Sequence, residues 1–150
     1  MLHRLLVIAA LCLLAAGPES TRSNAEELPL VVREDFEAGA GRWRPLDLKS
    51  WQITRTPEGQ VYSLIADSKY EPPHRSPVNL ALLEEIVVSD FVLDARLQST
   101  VPDYGHRSLV LVFGYQDPEH FYYVHFGKET DDHANQIFIV NDAPRTKIST

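Results

Sequence analysis

Disulfides are the first thing this 150-residue chain lacks. Its single cysteine, Cys12, has no partner, so no intrachain bridge can form and stability must come from a packed core. Clustered positive charge is missing as well. Fourteen Lys and Arg are outnumbered by 21 Asp and Glu, for a net charge of −7, which argues against nucleic acid, whose phosphates require grouped basic side chains. Long apolar runs are absent: the longest, Leu5–Ala16, is too short to span a bilayer. No Asn-x-Ser/Thr acceptor occurs, so glycosylation finds no site. No segment carries a convincing helical period, and no repeat or low-complexity tract interrupts the chain.

What is present begins with a leader. Met1-Leu2-His3-Arg4 is a short basic start, followed by the Leu5–Ala16 run and the polar stretch Gly17–Asn24. This is the pattern of a secretory signal peptide over residues 1–25, with cleavage after Ala16 or Ala25, and it predicts a secreted or periplasmic protein. Leu11 precedes Cys12 where a lipoprotein signal requires a small residue, which speaks against lipidation. Removing Arg4, Glu19 and Arg22 leaves 20 acidic and 12 basic residues, so the mature charge becomes −8. Residues 26–150 suffice for one domain with its own core.

That domain reads as strands. Ser108–Gly127 (SLVLVFGYQDPEHFYYVHFG) places two apolar, aromatic-rich runs around Gln116–His120, the pattern of an antiparallel hairpin. Pro118 fixes its own φ, and the Asp117 carboxylate can bond the backbone ahead of it. Leu109–Phe113 is apolar on both faces, which predicts a central strand covered on both sides. Phe91–Thr100 alternates Phe91, Leu93, Ala95 and Leu97 against Asp94, Arg96 and Gln98, which predicts a half-buried strand. Further strands are expected at Leu30–Phe36, Trp51–Thr54, Gln60–Ala66, Val78–Leu83, Gln136–Asn141 and Arg145–Ser149. Thr56-Pro57-Glu58-Gly59, the three-proline segment Asp67–Pro77 and the charged Lys128–Ala134 are expected as turns or loops. Eight or nine short strands predict an all-β fold, an antiparallel β-sandwich or jelly roll. The chain ends at Thr150 inside an expected strand, which suggests truncation at the C-terminus.

The ordered set Asp35-Phe36-Glu37, Trp43, Trp51, Ser89-Asp90-Phe91-Val92-Leu93 and Phe113-Gly114-Tyr115-Gln116-Asp117-Pro118 to Tyr123 resembles the concanavalin A-like lectin/glucanase jelly rolls. Within them it is most similar to the 3-keto-disaccharide hydrolase-like domains of secreted bacterial proteins. The resemblance covers roughly residues 31–149 and implies a jelly roll facing carbohydrate. Further closing strands, usual in such domains, are not found in this sequence. It leaves three functions open: a carbohydrate-binding module, a 3-keto-glycoside hydrolase, or a structural or protein-binding domain of the cell envelope.

A sugar presents an apolar face and a rim of hydroxyls, so aromatic platforms beside planar polar groups are the expected contacts. Candidates are Tyr104, His106, Arg107, Tyr115, His125, Asn135 and Arg145, with Tyr70, His74 and Arg75 in the proline loop. Tyr115 shares the parity of Leu109, Leu111 and Phe113 and is equally suited to a core. Trp43 and Trp51 are expected in the core. No E-x-D-x-x-E strand supplies paired carboxylates for ordinary retaining hydrolysis, leaving His106 and His125 as candidate acid–base groups. The histidines lack zinc spacing. Asp131 and Asp132 offer oxygen ligands for calcium, without the regular loop spacing that would require it, so no metal or other cofactor is expected as essential.

Overall fold

The computed structural model describes residues 28–105 and 108–150. The signal-peptide reading of residues 1–25, Cys12, His106 and Arg107 lie outside them. The described residues form an all-β, antiparallel structure with one turn of 3-10 helix at Leu48–Ser50. None of its helices is long and apolar enough to cross a membrane.

Strands β1 (Trp43–Pro45), β2 (Trp51–Thr56), β3 (Gly59–Leu64) and β4 (Ala81–Leu83) make two small sheets, β1 with β4 and β2 with β3. The predicted Pro57-Glu58 turn connects β2 to β3, with Thr56 Oγ1 donating to the Gly59 carbonyl at 2.8 Å. Around this hairpin Phe36, Trp43, Trp51 and Tyr62 pack ring against ring, with centroids 5.1–6.1 Å apart. Both tryptophans are half-buried there, in ring contact but outside the buried core of the larger sheet in which they were expected.

The larger unit is a four-stranded sheet in the order β5 (Leu109–Asp117), β6 (His120–Phe126), β7 (Gln136–Asn141), β8 (Thr146–Lys147). The hairpin forms where the sequence placed it. Asp117 Oδ1 accepts from the Glu119 amide at 2.8 Å, holding the Pro118-Glu119 turn. One face carries the core. Phe121, Tyr123, Phe138 and Val140 are buried, with Val110, Val112 and Tyr115 packed against them. Tyr123 is fully buried and stacks on Phe138 at 5.1 Å and 16°. Each such ring withdrawn from water contributes about 1.5–3 kcal/mol.

Four expectations are corrected. Leu109–Phe113 is an edge strand, half-buried, and not the centre of the sheet. The central positions belong to β6 and β7. Apolarity on both faces does not fix a strand's place in the order, and the opposite face, with Tyr122, Phe126 and Ile137 each more than one-third exposed, remains open to solvent. Phe91–Thr100 forms no strand: residues 91–98 are all exposed and no ladder pairs them. Alternation supplies a face, but a strand also requires an edge to take its amides and carbonyls. Leu30–Phe36 is likewise unpaired. Its acidic side chains take the backbone donors a ladder would use: Glu34 Oε1 accepts from Phe36 N at 2.9 Å and Asp35 Oδ1 from Glu37 N at 3.1 Å.

The fourth concerns Tyr115. The β5–β6 register slips between Phe113 and Asp117, where Gly114 adopts φ 58°. This irregularity moves Tyr115 off the parity of Leu109, Leu111 and Phe113 and onto the face of Val110 and Val112, 5.5 Å from the Phe121 ring.

Candidate functional site

The side chains of β6 and β7 determine where a ligand could sit. His125, Tyr123 and Phe121 alternate onto the buried face of β6, and Phe138 faces Tyr123 across the ladder. Where the core ends, the chain reverses through Asp142-Ala143-Pro144. Asp142 takes φ 49°, a conformation aspartate tolerates, and its amide donates to the Glu119 carbonyl at 3.1 Å. The reversal delivers Arg145 back over Phe138, with the guanidinium carbon 5.0 Å from the ring centroid. Arg145 Nη1 donates to the Tyr123 hydroxyl at 3.1 Å. Burial raises the Tyr123 phenol above its ordinary pKa, and the charges of Arg145 and Arg75 pull it partly back.

Arg75 arrives from the proline loop. Its carbonyl accepts the Arg145 amide at 3.0 Å, and the neighbouring His74 Nε2 lies 3.4 Å from Glu119 Oε1. Thus loop 67–77 is tied along the same end of the sheet. Between these elements opens a cavity of about 340 Å³, whose lining includes Arg75, Asp132, His133, Arg145, Thr146 and Lys147, with the Phe138 ring among them. Within it Lys147 Nζ holds Asp132 Oδ1 at 2.6 Å, and that hydrogen bond is the main reason the Asp132 carboxyl lies below its ordinary pKa.

Of the described residues singled out from sequence, Arg75, Asp132 and Arg145 line this cavity and the others lie elsewhere. Tyr104 is exposed in the loop before β5. Tyr115 is in the core, its phenol raised by burial. His125 is 7% exposed, and its Nδ1 donates to the His133 carbonyl. Asn135, at φ 57°, staples its own loop: its Oδ1 accepts from Gly127 N at 3.0 Å and its Nδ2 donates to Thr130 Oγ1 at 2.9 Å. Asp131 Oδ1 accepts the His133 and Ala134 amides at 2.6 and 2.8 Å, so this oxygen serves the loop's own backbone. Among the described residues, no three His, Cys, Asp or Glu side chains group as a metal site would.

Sequence reasoning passed over Phe138 and Lys147 and weighed His133 only for metal binding. Phe138 had one usable signal, an aromatic ring in a strand ending close to the Pro144-Arg145 turn. His133 and Lys147 had none, because their meeting depends on how the 128–135 loop folds back over β8.

No family model matches the chain, and neither does any curated protein or solved structure. The concanavalin-like resemblance therefore gains no support beyond the all-β architecture itself.

Proposed function

We propose that this protein is a secreted carbohydrate-binding domain of jelly-roll type and that its sugar site is the cavity between Arg75 and Arg145. The observation that carries the reading is the combination of an open cavity of about 340 Å³ with planar donors held over an aromatic ring. That volume lies at the lower end for small-ligand sites and suits one or two sugar units. Arg145 is fixed by Phe138 and the Tyr123 hydroxyl, so little side-chain freedom is lost when a hydroxyl-rich ligand engages it. Arg75, His133 and Thr146 add donors and acceptors to the lining. On this reading the half-exposed Tyr122–Phe126–Ile137 face is where the opposing layer of a jelly roll belongs.

Binding of the purified protein to an array of oligosaccharides tests the reading. At least one glycan should bind, and Arg145→Ala should abolish the signal while the fold, followed by circular dichroism, is retained. An array without signal, or binding indifferent to Arg145→Ala, overturns it.

A further inference from the structure

The charge inside the cavity runs against that of the molecule. A chain of net charge −7 brings three cationic side chains, Arg75, Arg145 and Lys147, to one cavity with a single carboxylate, Asp132, a balance of +2. Lys147 already holds Asp132 at 2.6 Å. The two arginines have no carboxylate partner among the described residues. Arg145 makes its side-chain contacts with a neutral hydroxyl and an aromatic face, and Arg75 is exposed.

Glu119 and Asp142 lie nearby, yet they engage His74 and His120 at 3.4 and 3.3 Å. The guanidinium is planar and presents paired N–H donors that match a carboxylate fork to fork. Fixing one such fork on Phe138 and placing a second beside it prepares a site for negative charge on the ligand.

We propose that the cavity selects acidic sugars: a glycan unit whose ring carries a carboxylate, as in a uronic acid, with Arg145 and Arg75 receiving the carboxylate and His133 and Thr146 facing the ring hydroxyls. This rests on the reading of the cavity as a sugar site and specifies what that site takes.

Calorimetric titration of the full chain tests it, with oligogalacturonates and mannuronate oligomers each set against its own methyl ester, and with sodium sulfate as a bare anion. At least one free acid should bind, and its methyl ester should bind at least about tenfold more weakly, the difference one charge-assisted hydrogen bond makes. Arg75→Gln, at an exposed position where the fold is undisturbed, and Arg145→Gln should each cost about 10- to 100-fold in affinity for the acid. Arg145→Lys should recover only part of the loss because the fork is gone. Lys128→Gln, outside the cavity and paired with Asp103, should change nothing.

Equal affinity for acid and ester, or no effect of Arg75→Gln, overturns acid selectivity while leaving a sugar site in place. Sulfate binding as tightly as the oligomer overturns the sugar contribution and leaves a simple anion site. Binding of neither acid nor ester, in a protein that also fails on the glycan array, removes the site reading itself.

Discussion

Two segments of this chain carry similar alternating patterns and meet opposite ends. In β6, Phe121, Tyr123 and His125 point to one face and all are buried. In Phe91-Val92-Leu93-Asp94-Ala95-Arg96-Leu97-Gln98 the alternation is at least as regular, yet every residue is exposed. β6 lies between β5 and β7, antiparallel to both, so its backbone groups are satisfied on two sides. Among the described residues, no strand pairs with the 91–98 segment. Alternation therefore states which residues would share a face, and only a neighbouring edge turns that possibility into a strand.

The sharpest way to break this comparison is to truncate matched positions. Tyr123→Ala should destabilise the fold by about 3–5 kcal/mol, because it leaves a cavity beside Phe138 and removes the hydroxyl partner of Arg145. Phe91→Ala and Leu93→Ala should stay within about 0.5 kcal/mol of the parent. Denaturant unfolding followed by tryptophan fluorescence measures all three. A loss at Leu93 comparable with that at Tyr123 would mean that the 91–98 segment is packed.

A smaller effect is expected at Gly114, where β5 shifts register. An added Cβ there would stand 3.2 Å from Tyr122 Cδ2, on a backbone at φ 58°. Gly114→Ala should cost about 1–2 kcal/mol from the left-handed conformation and loosen the Tyr115–Phe121 contact, visible as a change in near-ultraviolet circular dichroism.

The smallest effect sharpens the comparison at the hairpin tip. His120 Nδ1 lies 2.8 Å from Asp117 Oδ1 and its Nε2 3.3 Å from Asp142 Oδ2. The hydrogen bond to Asp117 is the main reason the histidine is raised above its ordinary 6.5. Asp117 is lowered below 3.8, first by the Glu119 amide and then by His120. A raised histidine stabilises the folded state below its ordinary pKa and loses that contribution as pH climbs through the raised value. A depressed aspartate stabilises above 3.8 and loses its contribution as pH falls through the lowered value. The pair is thus fully engaged between about pH 4 and 6. An NMR titration of the His120 ring should show a midpoint above 6.5 that falls back toward it in Asp117→Asn. An unchanged midpoint in that variant would separate the two groups.

Legibility in the sequence followed the same division between local and distant causes. The β5–β6 hairpin was readable because Asp117-Pro118 builds its turn from its own atoms, and β7 because its apolar run is bounded by turns. The place of β5 at the sheet edge was not, since a strand apolar on both faces looks the same at the centre and at a half-covered rim. Tyr115 changed face because of one glycine conformation, which no periodicity reports. At the candidate site, Arg75 was legible as a polar, planar side chain on the proline loop and Arg145 as one at the start of an expected strand. Their convergence was not, because it depends on a backbone hydrogen bond between residues seventy positions apart. Asn135 looked like a ligand for the same reason it makes a loop staple: a short amide side chain serves either use.

Amide hydrogen exchange read residue by residue tests the central contrast most directly. Amides of Phe121–His125 and Ile137–Val140 should be the slowest in the molecule, and those of Phe91–Gln98 should exchange at the rates of an unstructured chain. Protection of alternate amides in Phe91–Gln98 to the level of β6 would show a paired strand there and contradict the account.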